Sequence, residues 1–375
     1  MVEIDAGGSP GFPRVDDAAL RGLGLHTFAG YMRAMRRFVE ARRHTYDIVL
    51  EKSWLLSGYL ASLCQRYGVL AGVVENIVRV WNEPVRHPRD WPHYTRYWVA
   101  QKLVGRYLRR ALLIIAETEE LKGALTQRWQ IPAPRIEVIG LGVDHGLFRP
   151  LDQADARGMF GISSEATVLL YVGVLDRTHN LTPVLEALRR VTHPSLELHI
   201  VGDGVVRRQY EEEARASGHK VLFHGRVPHA DIPQYIAAAD VCLAPYDPTC
   251  FPNGQIAYAT LKVPEYMACA RPVASVASGH ILRLIQPGIS GFLFPNQTPS
   301  WTDFLQTLPP RAHLREMGRA AARAASQDSW EKTAAGYLAV CERLIQQTTG
   351  TYARKGRRPY GEPTALDLCQ RGSAK

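Results

Sequence analysis

The 375-residue sequence has no long apolar run, and this absence excludes a membrane-spanning helix. Spanning a bilayer requires roughly 18 or more consecutive apolar residues, and no stretch comes near that length although 46% of the residues are hydrophobic. The N-terminal stretch MVEIDAGGSPGFPRVDD also lacks the basic and apolar regions of a secretory signal peptide. We therefore expect a cytoplasmic protein.

The sequence also lacks closely spaced pairs of cysteines. The six cysteines have no C-x-x-C spacing, which excludes the usual zinc-binding motifs and a disulfide framework. We expect reduced thiols at all six positions, which are Cys64, Cys242, Cys250, Cys269, Cys341 and Cys369. The sequence also contains no D-x-D motif, and we expect no metal site.

Acidic residues are outnumbered, and the net charge is +9. The segment 351–375 carries six basic and two acidic residues with little apolar content, which predicts a disordered tail. The stretch HTFAGYMRAMRRFVEARRH places apolar residues at helical spacing among five arginines. We favour a helix packed on its own domain, and weak attachment to an anionic membrane surface remains an alternative. No nucleic-acid-binding motif accompanies the charge, so we expect no nucleic-acid partner.

Apolar strands and amphipathic helices alternate along most of the chain. The predicted strands are YDIVLEK, VLAGVVEN, LLIIAET and RIEVIGLGVD, then TVLLYVGVLD, LELHIVGDG, KVLFHGRV, DVCLAPY, RPVASVA and GFLFP. This alternation is typical of parallel sheets covered on both faces. We predict an α/β protein with two Rossmann-like, doubly wound domains, 1–150 and 151–330. A C-terminal helix, 331–350, is expected to pack back on the first domain.

Two strand-end loops of the second domain contain glycines beside polar residues. In YVGVLDRTHN, Gly173 ends the strand, and Arg177 and His179 follow it. In HIVGDGVV, Gly202 and Gly204 would let the backbone approach a ligand. Ligands of open parallel sheets bind at the carboxyl ends of the strands, although glycines at strand ends are also common turn residues.

A third segment, YATLKVPEYMACARPVAS, combines one lysine and one glutamate at the start of a helix. Thr260 is a plausible N-cap, and Pro264 suits the first turn of a helix. The free N–H groups of that turn and Lys262 would attract an anion, while Glu265 could accept two ribose hydroxyl groups. The pattern predicts a site for a nucleoside diphosphate. Taken alone, the pair could equally be a helix-surface ion pair.

Seven ordered motifs of this chain resemble the retaining GT-B glycosyltransferases of the family-4 kind, or group 1. They are YVGVL, VGDG, FHGRV, ADVCLAP, EYMACARPV, GISGFLFP and WEKTAAGY, within a match from about residue 46 to 344. The resemblance implies a GT-B fold and transfer of a sugar from a nucleotide-activated donor with retention of anomeric configuration. It implies a nucleotide-sugar donor as substrate, a hydroxyl acceptor and no resident cofactor.

The resemblance also implies site residues. Lys262 and Glu265 would act in catalysis, holding phosphate and ribose. The donor would be bound by Gly173, Arg177, His179, Gly202, Asp203, Gly204, Arg226, Thr260, Leu261, Lys262 and Glu265. Glu75 and Asn76, in VVEN, are candidates for contacts to the sugar or acceptor, and a simple strand-end turn is an equal alternative.

The chain departs from the family pattern at several positions. The family usually has two glutamates eight positions apart, and Ala257 stands where the first would be. Val174 replaces the usual arginine, and His179 replaces the usual lysine. Only about 45 residues precede YDIVLEK, so the N-terminal, acceptor-side domain looks shortened.

Our main hypothesis is a glycosyltransferase that acts on a small aminocyclitol, a polyol or a surface-polysaccharide precursor. The alternative is a sugar-nucleotide-binding protein of the same fold with little or no catalysis. A dinucleotide oxidoreductase fits poorly, because Arg207 occupies the third glycine position of the G-x-G-x-x-G motif.

Overall fold

The computed structural model describes residues 28–53, 56–77, 91–193 and 195–354. The chain divides into two compact units. Unit 1 comprises residues up to 139 and from 335 onwards, and unit 2 comprises residues 140–334. Each unit is built on one parallel sheet with helices. The predicted α/β class with two parallel sheets is therefore confirmed.

The first described element of unit 1 is a helix, and alternating strands and helices follow it. Its elements are α1 (Phe28–Arg42), β1 (Ile48–Lys52), α2 (Tyr59–Arg66), β2 (Leu70–Glu75), α3 (Trp91–Leu108), β3 (Leu113–Ala116), α4 (Glu119–Trp129) and β4 (Ile136–Val138). The sheet order is β1-β2-β3-β4, so each strand pairs with the next along the chain. Each connection between these parallel strands moves to the next strand on the same side. Because such connections are right-handed, α2, α3 and α4 are expected on the same face of the sheet.

The long C-terminal helix, numbered α13 (Trp330–Arg354), contributes to unit 1 from residue 335. Its Val340 packs in one cluster with Val74, Leu113 and Ile115 of the sheet. These apolar side chains leave water together, which stabilises the packing of helix on sheet. The helix runs beyond its predicted end at residue 350. The remainder of the predicted tail, 355–375, lies outside the described residues.

Helix α1 follows the amphipathic pattern seen in the sequence. Met35 and Val39 are 7% and 3% exposed, while Arg33, Arg36 and Arg37 are exposed to solvent. The helix thus packs its apolar side on the protein and directs arginines to water, as favoured from the sequence.

Unit 2 contains six strands. Its elements are α5 (Gln153–Phe160), β5 (Thr167–Val172), α6 (Thr182–Leu188), β6 (Leu196–Val201), α7 (Arg207–Arg215), β7 (Lys220–Gly225), α8 (Ile232–Ala238), β8 (Val241–Ala244), α9 (Lys262–Ala268), β9 (Val273–Ser275), α10 (Ile281–Leu284), β10 (Gly291–Leu293), α11 (Thr298–Gln306) and α12 (Arg311–Ala325). All ten predicted strands, four in unit 1 and six here, are thus present.

The sheet of unit 2 has the order β10-β9-β8-β5-β6-β7. Alternate residues of β5 face opposite hydrophobic clusters. Leu170 lies in a cluster with Ile236 of α8, and Leu169 lies in the other with Trp301 of α11. Both faces of the sheet are therefore covered, as the continuous apolar strands predicted. The strand order reverses at β5, because β6 lies on one side of it and β8 on the other.

Two further expectations concern the described residues only. No helix among them is long and apolar enough to cross a bilayer. Their five cysteines form no disulfide with one another; they are Cys64, Cys242, Cys250, Cys269 and Cys341. Cys369 lies outside the described residues.

Candidate functional site

The loops that leave β5 and β8 meet at the carboxyl edge of the unit 2 sheet. His179 and Tyr246 form an antiparallel bridge between them, and the Asp247 amide donates to the Thr178 carbonyl over 2.9 Å. This position, where the strand order reverses, is where open parallel sheets bind their ligands. It is also where the structure places Lys262.

The Lys262 amine rests on two tyrosine rings. Its Nζ lies 4.4 Å from the centroid of the Tyr171 ring and 5.6 Å from that of Tyr246, and it donates to Tyr171 Oη over 3.2 Å. Burial lowers the pKa of Lys262 to about 7, although Asp176 and Glu265 act in the opposite direction. The side chain is therefore held at the strand edge in an environment that disfavours its charge.

Glu265 lies one turn further along α9. Its side chain is 18% exposed, and one oxygen is 3.7 Å from Nε2 of the exposed His229. Burial raises the pKa of Glu265 to about 7, and Lys262 partly opposes the rise. Helix α9 is fixed to β5 through Tyr266, whose phenol oxygen accepts from the Val172 amide over 2.7 Å. The pair predicted from the sequence is thus positioned next to the end of β5.

The predicted N-cap is wrong. Helix α9 begins after Leu261, which makes no side-chain cap bond. Thr260 is 4% exposed, and its hydroxyl is bonded to Tyr246 Oη at 2.5 Å. This buried phenol competes successfully for the hydroxyl, so Thr260 links the segment before α9 to the loop after β8. Leu261 is 43% exposed.

His179 is held by Asp176, a residue that was not singled out from the sequence. Oδ1 of Asp176 is 2.9 Å from Nδ1 of His179 and accepts from the His179 amide and from the amide and hydroxyl of Thr178. These hydrogen bonds lower the pKa of Asp176 against the effect of its burial. Burial lowers the pKa of His179, which the bond to Asp176 opposes. Arg177, between them, is exposed.

The strand-end glycines have a structural role in the loops, and their predicted role toward a ligand stays a prediction. A Cβ on Gly202 would lie 1.9 Å from the Gly173 carbonyl oxygen, and one on Gly204 would lie 2.0 Å from that of Leu175. These two glycines therefore let the loops after β5 and β6 pack against each other, and it is neighbouring backbone that approaches them. A Cβ on Gly173 would lie 2.5 Å from Lys262 Nζ, so Gly173 makes room for the lysine.

Two other predicted donor-binding residues lie on neighbouring loops. Asp203 Oδ1 accepts from the Gly204 amide over 2.8 Å, and Oδ2 is 3.7 Å from Nη1 of Arg207. Arg226 is exposed directly after β7. Both follow strand carboxyl ends, on the far side of β5 from Tyr246.

Glu75 and Asn76 belong to unit 1. Glu75 is the last residue of β2 and is 2% exposed, while Asn76 follows it and is half-buried. Their role toward a sugar or acceptor stays a prediction.

Tyr171, Tyr246 and Asp176 complete the cluster around Lys262 and were missed in the sequence. Both tyrosines are 0% exposed, and a tyrosine in or beside an apolar strand is usually a core residue. Asp176, three residues before His179, had the spacing of a turn-forming acid. Only that spacing could have indicated its contact with the histidine ring.

Part of the chain, within unit 2, is similar to a known protein family. Residues 166–308 match the family model described as glycosyl transferases group 1. The chain carries a group 1 glycosyltransferase domain. The resemblance found in the sequence is thereby confirmed, and the matched region contains Lys262 and Glu265.

Curated relatives of this chain include two named D-inositol 3-phosphate glycosyltransferase. The one from Mycobacterium bovis is 29% identical over 329 residues, which cover 83% of this chain and 64% of the relative. The one from Segniliparus rotundus is 29% identical over 251 residues, which cover 64% of this chain and 54% of the relative. The chain thus spans less than two thirds of the length of these relatives.

Solved structures support the GT-B fold. Sucrose-phosphate synthase from Thermosynechococcus elongatus superposes with a TM-score of 0.71 at 23% identity, covering 87% of this chain and 80% of that one. Anabaena HepE in complex with UDP gives 0.62 at 20% identity, covering 86% and 82%. The fold of this chain is therefore GT-B.

Proposed function

We propose that the chain is a retaining hexosyltransferase that moves a sugar from a nucleoside-diphosphate sugar to an acceptor hydroxyl. The observation that carries the proposal is the placement of Lys262 and Glu265 at the point where the strand order of unit 2 reverses. The family match across these residues and the UDP named in the HepE complex support a nucleotide donor.

The proposed donor lies with its diphosphate at Lys262 and His179 and its ribose hydroxyls at Glu265. Arg177, exposed in the same loop, supplies a further charge to the phosphates. In a front-face attack on the anomeric carbon, negative charge develops on the departing diphosphate. Positively charged groups in contact with the bound diphosphate would stabilise it in the transition state. We assign no protein nucleophile.

The acceptor we propose is a cyclitol or a related small polyol. The name D-inositol 3-phosphate glycosyltransferase of two relatives supports this class. A surface-polysaccharide precursor is the other acceptor to be tested. Glu75 and Asn76 are the proposed polar contacts from unit 1.

The second candidate is a sugar-nucleotide-binding protein without transfer activity. It is favoured by Ala257 in place of the first family glutamate and by Val174 in place of the arginine, since each substitution removes a polar contact to the donor. Exposure of Val174 is 58%, so nothing polar replaces the arginine at that position of the chain.

A panel of nucleotide sugars separates these two functions. Thermal shift identifies the donor, because a ligand that binds only the folded state raises the melting temperature. Turnover with that donor and a panel of cyclitols, polyols and glycan precursors then tests for transfer. Binding without transfer or donor hydrolysis would favour the second candidate, and no binding of any nucleotide would refute both.

The variant Lys262→Ala tests the proposed donor site, and Lys332→Ala, on an exposed helix surface, is its control. Removing an electrostatic contact to the leaving group should lower kcat by about 100-fold or more. The control, whose amine lies 3.3 Å from Asp328 with 67% of its side chain exposed, should behave as wild type. Unchanged turnover of Lys262→Ala would count heavily against the proposed site.

Weak peripheral attachment to an anionic membrane is proposed as a secondary property. It is supported by the exposed arginines of α1, among them Arg33, Arg36 and Arg37. Basic side chains near an anionic surface contribute about 1 kcal/mol each. Co-sedimentation with phosphatidylglycerol vesicles, but not with phosphatidylcholine vesicles, is the expected result. Equal recovery with both would contradict it.

A further inference from the structure

The Lys262 amine has fewer partners than its charged form requires. An ammonium group has three N–H donors, and among the described residues its only hydrogen-bond acceptor is Tyr171 Oη, at 3.2 Å. The Tyr171 phenol itself donates to the Val174 carbonyl over 2.7 Å, which fixes its orientation. Two N–H directions are therefore left over for a ligand.

The carboxylates that could neutralise the lysine are engaged elsewhere. Asp176 is bonded to His179 and Thr178 in the loop after β5. Glu265, on α9 with Lys262, has His229 at 3.7 Å. No carboxylate of the described chain lies within ion-pair distance of Lys262 Nζ. The faces of two tyrosine rings are in contact with the amine, and Asp176 and Glu265 favour its charge only from a longer distance.

We propose that a nucleoside diphosphate binds to unit 2 with uptake of a proton, and that the proton is taken up by the Lys262 amine. The inference rests on the proposed donor site. Before binding, the amine lies over Tyr171 and Tyr246 with one hydrogen-bond acceptor, and these surroundings disfavour its charged form. A diphosphate supplies the missing acceptors and negative charge, and these favour the ammonium form.

The elements around Lys262 contribute titratable groups that can affect the protonation of its amine. Strand β5 contributes Tyr171, the loop after it contributes Asp176 and His179, and the loop after β8 contributes Tyr246. The segment before α9 contributes Tyr258, and α9 itself contributes Glu265. Burial raises the pKa of Tyr171, Tyr246 and Tyr258, so these phenols stay neutral. The ionic groups that remain are Asp176, Glu265 and His179.

The pKa values agree with this assignment and select the pH for its test. Lys262 and Glu265 both have a pKa of about 7, while that of His179 is lowered from 6.5. At pH 8, Glu265 is therefore mostly ionised and His179 is neutral. Lys262 is roughly nine-tenths uncharged, and full protonation would take up about 0.9 proton. From pH 8 upwards the affinity should fall about tenfold per pH unit.

Isothermal titration calorimetry of the full chain at pH 8 tests the proposal directly. UDP, GDP and ADP are titrated in HEPES and in Tris, whose ionisation enthalpies differ, and the slope of observed against buffer enthalpy gives the protons exchanged. The wild-type chain should take up about 0.9 proton with whichever nucleotide binds. Binding without uptake would overturn the inference and leave the proposed function standing. No binding of any nucleotide would instead refute the proposed function.

Two variants test which side chain takes up the proton. Lys262→Arg carries a charge at every accessible pH, so its binding should proceed with no uptake. His179→Asn keeps an N–H toward Asp176 and cannot titrate, so its uptake should equal that of the wild type. Uptake that persists in Lys262→Arg, or disappears in His179→Asn, would overturn the assignment.

A spectroscopic readout covers the case in which Lys262→Arg fails to bind. The side-chain carbon shift of lysine reports its charge, and the signal that is absent in Lys262→Arg belongs to Lys262. In the free wild-type chain this signal should titrate near pH 7. Bound nucleotide should move its midpoint up by at least one pH unit. A signal that stays charged to pH 10 in the free chain would refute the proposal.

Discussion

The carboxyl edges of the two sheets hold charged side chains in different surroundings. In unit 1, the strand-end residues Glu51, Glu75 and Glu117 are 3%, 2% and 5% exposed. In unit 2, the corresponding edge holds Lys262. Glu51 accepts from the Gly58 and Ala61 amides over 3.0 and 2.9 Å, whereas Lys262 donates to one phenol.

The difference separates a structural group from a ligand-binding one. A buried charge is tolerated when hydrogen bonds satisfy it, and Glu51 has such bonds at the first turn of α2. Lys262 keeps unused donors, which decreases the stability of unit 2 and leaves capacity for an anion. We infer that Glu51 stabilises the fold of unit 1, whereas Lys262 of unit 2 binds a substrate.

The largest effect is expected for the loops that surround Lys262. Gly202→Ala should lower the free energy of unfolding by about 3 kcal/mol or more, because its Cβ would overlap the Gly173 carbonyl and φ is +128°. The control is Gly218→Ala, which has φ +74° and open space; it should cost about 1 kcal/mol. Urea unfolding measures both. Equal losses in the two variants would mean that the contact between the loops after β5 and β6 does not contribute to stability.

Glu51→Ala tests the contribution of the hydrogen-bonded Glu51 carboxylate to the stability of unit 1. The variant leaves the Gly58 and Ala61 amides without their acceptor, and we expect a loss of about 3 kcal/mol in urea unfolding. Glu51→Gln retains one acceptor oxygen and should lose about half as much. A fully stable Glu51→Ala would remove the contrast with Lys262.

Lys262→Met tests the unsatisfied charge of unit 2. The folded-state pKa of about 7 lies below the unfolded value of 10.5, so folding disfavours the charged amine at pH 7. Replacing it with an apolar chain should stabilise the protein by about 2 kcal/mol. The wild type recovers stability as the pH rises from 7 toward 10.5, and the difference should close there.

The control for that variant is Lys332→Met, at the exposed amine near Asp328. Its stability should stay within about 0.5 kcal/mol of the wild type at either pH. If Lys262→Met is destabilised at pH 7, the amine is better satisfied than its contacts indicate. Urea unfolding at pH 7 and pH 9.5 decides between these outcomes.

The smallest effect is expected for Tyr171→Phe. The ring under Lys262 remains, but the bonds to the Val174 carbonyl and to Lys262 Nζ are lost. We expect a loss of about 1 kcal/mol in unfolding and a few-fold weaker nucleotide binding by calorimetry. Tyr235→Phe, a ring packed on Phe160, is the control. An effect no larger than that of the control would mean that the phenol does not position the lysine.

Much of the fold could be predicted because strand and helix periodicity is local. Most of the strands contain a short apolar run that identifies them in the sequence, although polar residues interrupt β4 and β6. The Lys262 and Glu265 pair could likewise be singled out by its spacing on a short helix. The N-cap at Thr260 was wrong because a distant residue, Tyr246, binds its hydroxyl. The packing around Gly202 and Gly204 could not be predicted for a similar reason, since the backbone atoms that approach them belong to another loop. Their approach to a ligand stays a prediction.

The order of residues alone established the α/β class, the ten strands and the group 1 motifs, because these depend on neighbours along the chain. The surroundings of Lys262 depend on residues up to 91 positions away, such as Tyr171, and only the folding of β5, β8 and α9 onto one edge brings them together. Burial of the amine between those elements lowers its pKa. A sequence motif cannot express that effect, because desolvation is set by packing in three dimensions.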